Sequence, residues 1–131
     1  MTVLTDLPAG HVFDPITLNL DAGRTRAYRD AIGDTLPFYD DAGAVPPLAV
    51  AAVALGALLE SVSLPPGSLH VNESLGFRRA VAPGSEIECR AVLTQRSVRG
   101  GLVVSVIDSE IRAGGETAVT ARATVMSPQP S

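Results

Sequence analysis

Pro46-Pro47-Leu48-Ala49-Val50-Ala51-Ala52-Val53-Ala54-Leu55-Gly56-Ala57-Leu58-Leu59-Glu60-Ser61 is apolar at nearly every position up to Leu59. Proline is tolerated at a helix start because the first helical N–H groups have no partner within the helix. The run predicts a helix over Leu48 to Ser61 that is buried almost all round. Its small residues, Ala49, Ala51, Ala52, Ala54, Gly56 and Ala57, are expected to let a sheet approach closely. Leu48 to Leu59 is too short for the roughly 20 residues of a membrane span.

Downstream the pattern changes to period two. Leu64-Pro65-Pro66-Gly67 is a turn, and Ser68 to Phe77 reads as a strand leading to Arg78-Arg79. A turn at Ala82-Pro83-Gly84-Ser85 follows. Glu86 to Gln95 alternates, with Ile87, Cys89, Ala91 and Leu93 on one face and Glu86, Glu88, Arg90 and Thr94 on the other. Gly100-Gly101 is a hairpin turn into Leu102 to Arg112. Ala113-Gly114-Gly115-Glu116 then turns the chain into Thr117 to Met126, with Val119, Ala121, Ala123 and Val125 facing inward. Ser127 to Ser131 reads as a polar, flexible tail.

Upstream, Ile16 to Leu20 alternates as a short strand. Asp21 stands where an N-cap belongs, ahead of a short helix over Ala22 to Ile32 that Gly33 closes. Asp34 to Ala44 is expected to be loop, with one helical turn near Tyr39 to Asp41. The order predicts an α+β fold in which an antiparallel sheet wraps one long buried helix, as one domain over residues 1–131. One such layer leaves a sheet edge and a helix side uncovered, which predicts a dimer.

Composition removes several functions. The net charge is −4 and the pI about 5.0, against the clustered positive field that nucleic acid requires. All ten basic residues are arginine, which removes lysine Schiff-base chemistry and a P-loop lysine. Cys89 is the single cysteine, so no intrachain disulfide forms and a reducing, cytoplasmic setting is expected. Met1 to Gly10 lacks the basic and apolar regions of a signal peptide. His11 and His70 have no metal-ligand spacing, so no metal is expected. Aromatics are only 4% of the chain against 46% hydrophobic residues, so the core is aliphatic.

Several stretches in this order resemble the MaoC-like hydratase/dehydratase family, which has the hotdog fold. They are Gly33-Asp34-Thr35-Leu36-Pro37-Phe38-Tyr39-Asp40, the Pro46-Pro47 helix, Leu69-His70, Arg79-Ala80-Val81-Ala82-Pro83-Gly84-Ser85 and Arg99-Gly100-Gly101. The resemblance implies hydration or dehydration of an acyl thioester, on CoA or acyl carrier protein in fatty acid or polyketide metabolism, without a cofactor. In active members, G-D-x-N-P-x-H-x-D supplies an Asp and a His that share the base and acid work of adding water to a double bond. Here the resemblance places Asp34 and Tyr39 at the catalytic positions, and Leu36 replaces the Asn. A phenol titrates near pH ~10 and an imidazole near ~6.5, so Tyr39 is a poor proton shuttle at neutral pH. Pro46-Pro47 falls where active relatives offer a helix-start N–H to the thioester oxygen, and proline has none.

Both departures imply a degenerate, non-catalytic subunit whose partner carries the Asp and His. Its substrate-binding residues would be Phe38, Pro47, Leu48 and Val53. A homodimeric hydratase using Asp34 and Tyr39, and a hotdog thioesterase or acyl-thioester binding protein, are the alternatives. Neither nucleic acid nor membrane is expected as a partner. Glu60, at the far helix end, reads as solvent-facing, and His70 as a hydrogen-bonded strand residue. Arg96 and Arg99 read as surface arginines near a turn.

Overall fold

The computed structural model of the chain describes residues 2–20, 47–82 and 84–129. The helix expected over Ala22 to Ile32 and the loop from Asp34 to Ala44 lie outside the described residues. A 3-10 turn at Leu4–Asp6 precedes β1 (Ile16–Asn19), α1 (Pro47–Glu60), β2 (Leu69–Phe77), β3 (Glu86–Arg99), β4 (Leu102–Ala113) and β5 (Glu116–Pro128). The strands form one sheet in the order β1-β3-β4-β5-β2, every neighbouring pair antiparallel.

The two diglycine turns set the register of the three long strands. Gly100 and Gly101 have φ of 57° and 78°, and Gly114 and Gly115 have 61° and 80°. Paired positive φ values suit the tight hairpin turns whose twist matches that of the strands. Arg99 accordingly pairs with Leu102, and Ala113 with Glu116.

Ile87, Cys89, Ala91 and Leu93 are buried on the inner face of β3 at 1, 2, 3 and 0% exposure. β3 continues to Arg99 rather than ending near Gln95, because a bulge between Leu93 and Gln95 shifts the alternation without ending the pairing. β5 also outruns its expected end: Ser127 pairs with Val103 and Pro128 with Leu102. Ser127 is fully buried and its hydroxyl is hydrogen-bonded to that of Ser68 at 2.9 Å. The first two residues of the expected flexible tail are therefore sheet, held by β4 on one side and the Ser68 turn on the other.

α1 has 14 residues, a helix of ordinary length, about 21 Å. Ala49, Val50, Ala51, Ala54 and Leu58 are buried, whereas Gly56 and Glu60 are exposed and Ala52, Val53 and Ala57 half-buried. The helix is thus buried on one broad face and not all round. A Cβ placed on Gly56 meets nothing within 4 Å, so that glycine is not there to admit the sheet.

Two apolar clusters fill the space between helix and sheet. One joins Ala49, Val50 and Ala54 to Leu20, Val81, Ile87, Ile111 and Val119. The other joins Leu58 and Val62 to Leu93, Ile107 and Val125, and to Leu4, Leu7 and Phe13 from the N-terminal segment. That segment is held to β3 by Phe13 N–H donating to the Ala91 carbonyl at 3.0 Å and Leu93 N–H donating to the His11 carbonyl at 2.8 Å.

Candidate functional site

The start of α1 is where the sequence-predicted site can be followed. Pro47 is its first residue, so no backbone N–H is available there. Leu48 follows in the first turn. Val53, one and a half turns on, is half-buried and packs against the first apolar cluster. Asp34, Phe38 and Tyr39 lie outside the described residues, as does Pro46. The described part of the expected site is therefore an apolar helix start.

His70 is the hydrogen-bonded strand residue expected, its Nε2 lying 3.0 Å from the Asn72 carbonyl oxygen, but sequence reasoning passed over the polar region around it on the inner face of the sheet. Direct cross-strand partners share a face. His70 pairs with Val125, Val125 with Ser105 and Ser105 with Arg96. The next row runs Glu73, Ala123, Ile107 and Leu93. His70 Nε2 lies 3.7 Å from Glu73 Oε2, and their side chains are 37% and 15% exposed. Glu73 Oε2 and Ser105 Oγ are buried without a hydrogen-bond partner, as is Thr5 Oγ1. No sequence signal marks this region, because the bulge on β2 between His70 and Asn72 that aligns it is invisible in side-chain type.

The remaining polar residues do structural work. Arg96 donates from Nε and Nη2 to the Thr5 carbonyl, at 3.2 and 2.9 Å, so it ties the N-terminal segment to β3. Glu60 is exposed at the helix end, as expected. On the outer face, Arg122 holds Asp108 through Nε at 2.7 Å and Nη2 at 3.0 Å, and Thr94 donates to the same carboxylate at 2.9 Å. The Arg122 hydrogen bonds hold the Asp108 carboxyl below the usual carboxylate range, with Thr94 adding to them. Cys89 is free, and burial pushes its thiol up to about 11. No group of three or more His, Cys, Asp or Glu among the described residues is placed to hold a metal ion. No helix among them is long and apolar enough to cross a membrane.

The described residues form a five-stranded antiparallel sheet packed against an α-helix, the arrangement of a hotdog-fold protein. Residues 8–121 match the family described as the FAS1-like dehydratase domain region, and the chain belongs to that family. No curated protein matches it by sequence. Among solved structures it is similar to the MaoC-like dehydratase from Rhodospirillum rubrum, with a TM-score of 0.76 at 20% identity over 100% of this chain and 99% of that one. It is also similar to the (R)-hydratase from A. caviae involved in PHA biosynthesis, with a TM-score of 0.72 at 22% identity, covering 95% and 98%. A third is the HadBC (3R-hydroxyacyl-ACP dehydratase) complex from Mycobacterium tuberculosis, with a TM-score of 0.72 at 19% identity, covering 90% and 96%. At these identities the likeness establishes the fold, which is the hotdog fold expected from the sequence.

Proposed function

We propose that this chain is the non-catalytic, acyl-tunnel subunit of a cytoplasmic 3-hydroxyacyl-thioester dehydratase or (R)-specific enoyl-thioester hydratase, and that it pairs with a catalytic MaoC-like subunit. The observation that carries this reading is Tyr39 at the position where the motif of active members has His. At neutral pH a phenol does not trade protons as an imidazole does. Pro47 at the first position of α1 supports it, since proline has no N–H there to offer a thioester oxygen. Phe38, Pro47, Leu48 and Val53 would line the acyl chain, on CoA or acyl carrier protein. The β2 edge, with Leu69, Val71 and Phe77 exposed at 63, 46 and 51%, would receive the partner. HadBC is itself a complex by name, which makes a two-chain assembly reasonable for this fold.

Purified alone, the chain should not hydrate crotonyl-CoA, and activity should appear when it is combined with a hotdog subunit carrying D-x-N-P-x-H. Robust activity of the chain alone, lost on Asp34→Asn, would replace this reading with the homodimeric one. Retention of Asp34 favours that second reading. In it, Tyr39→Phe would abolish turnover and Tyr39→His would raise it.

A further inference from the structure

β2 borders the sheet, and among the described residues it pairs with β5 alone. The backbone groups on its free edge suit the addition of another strand. Leu69, Val71 and Phe77 are exposed on it at 63, 46 and 51%. Glu73, the one carboxylate of the strand, is the middle residue of its nine. It stands opposite Ala123, which is 3% exposed. Its side chain therefore turns to the inner face of the sheet, where it is 15% exposed.

This carboxylate lacks a donor. Glu73 Oε2 is buried without a hydrogen-bond partner, a costly state for a charged acceptor. His70 Nε2 is 3.7 Å away, too far for a direct bond, and its hydrogen goes to the Asn72 carbonyl oxygen at 3.0 Å. A second copy of the chain does not supply the donor either. In a two-fold antiparallel pairing, residues are placed symmetrically about the axis and directly opposed ones share a face. The registers that use most of β2 are therefore centred on Glu73 or a neighbour. They put Glu73 directly opposite its copy, or diagonal to it at ~7–8 Å, and like charges so placed repel. Arg78 and Arg79 of a copy reach Glu73 only in registers that leave more than half of the strand unpaired, and Arg79 is held by Glu116.

We propose that Glu73 selects the partner that adds to β2: it opposes the pairing of two copies of this chain and accepts from an arginine or lysine on the edge strand of a different hotdog subunit. The choice of β2 as the contact rests on the association proposed above; the charge required of the incoming strand rests on Glu73. Arginine suits the position best, since its guanidinium gives a carboxylate two parallel hydrogen bonds and is more weakly hydrated than an ammonium. One side chain then does both parts of recognition, repelling the wrong strand and bonding to the right one.

The test is sedimentation velocity of the full chain at low salt, as native protein, as Glu73→Gln, as Glu73→Lys and as an equimolar mixture of native protein with Glu73→Lys. The mixture supplies the cation from a known source. It should dimerise about tenfold or more tightly than native protein alone, as close opposite charges across an interface do. Glu73→Gln should self-associate about threefold more tightly than native protein, and it decides the matter if Glu73→Lys does not fold. Adding Val71→Lys to both chains should break the mixed dimer. A mixture with folded Glu73→Lys, or Glu73→Gln alone, that associates no more tightly than native protein would overturn the proposal. A mixed dimer that survives Val71→Lys would put the contact on another edge and overturn it too. None of these results alters the hydration assay of the lone chain with crotonyl-CoA, so partner selection and the non-catalytic reading fail separately.

Discussion

Cys89 illustrates how far single residues could be read in advance. Its place in the Ile87, Cys89, Ala91, Leu93 alternation marked it as inward-facing, and it is 2% exposed with its thiol raised to about 11 by burial. At pH 8 it is almost wholly protonated, and protonated thiols are poor nucleophiles. A thiol-specific reagent should therefore label the native protein only at the rate of unfolding, and promptly in denaturant. Asp108 makes a prediction of opposite kind. Its folded pKa lies below its unfolded value because of Arg122 and Thr94. The stabilisation is present above the unfolded pKa and is lost as pH falls through the folded one. Thermal midpoints measured from pH 6 down to pH 2 should thus fall less steeply in Asp108→Asn than in the native chain. Glu73 was not legible at this scale. Read by strict alternation from Leu75 it faces the core, but His70 then faces away, and nothing in the residue types announces an extra residue between them.

Among the elements, α1 and the hairpins were legible because each has a local cause: an apolar run opened by proline, and diglycine turns between alternating strands. What exceeded the sequence were the lengths of β3 and β5 and the N-terminal segment. Leu4, Leu7 and Phe13 have no periodicity to mark them, yet they complete the second apolar cluster. Their burial depends on a groove made by strands more than 70 residues later in the chain, so no local window contains the reason for it. The two faces of α1 should respond differently to substitution. Leu58 is 2% exposed, and Leu58→Ala should cost about 2–5 kcal/mol in urea denaturation. Gly56 has open space around it and helical φ, so Gly56→Ala should stabilise by about 0.5–1 kcal/mol.

For the whole molecule, the sheet's two borders differ. β2 offers nine residues with three large exposed apolar side chains, whereas β1, at the other border, has four. On the association proposed above, Val71→Lys should weaken assembly by about tenfold or more in sedimentation velocity, with the circular dichroism spectrum unchanged. Charge on an edge strand opposes edge-to-edge pairing. An unchanged sedimentation profile would mean that β2 is not the contact. The sequence led to the expectation of a partner but not to the strand proposed to meet it, since an edge is defined only once the strand order is known.

The N-terminal segment gives that asymmetry a further meaning. Beyond β1, it occupies β3 as far as Leu93 through Gly10, His11 and Phe13 and the Val12–Val92 bridge, so that stretch of the β3 border is not free to pair. In the vocabulary of polymer chemistry, a unit with two reactive ends propagates and a unit with one terminates. Among the described residues β2 is the one border strand long enough to recruit another, so on the association proposed above this sheet has a valence of one: it would close a pair rather than grow a fibre.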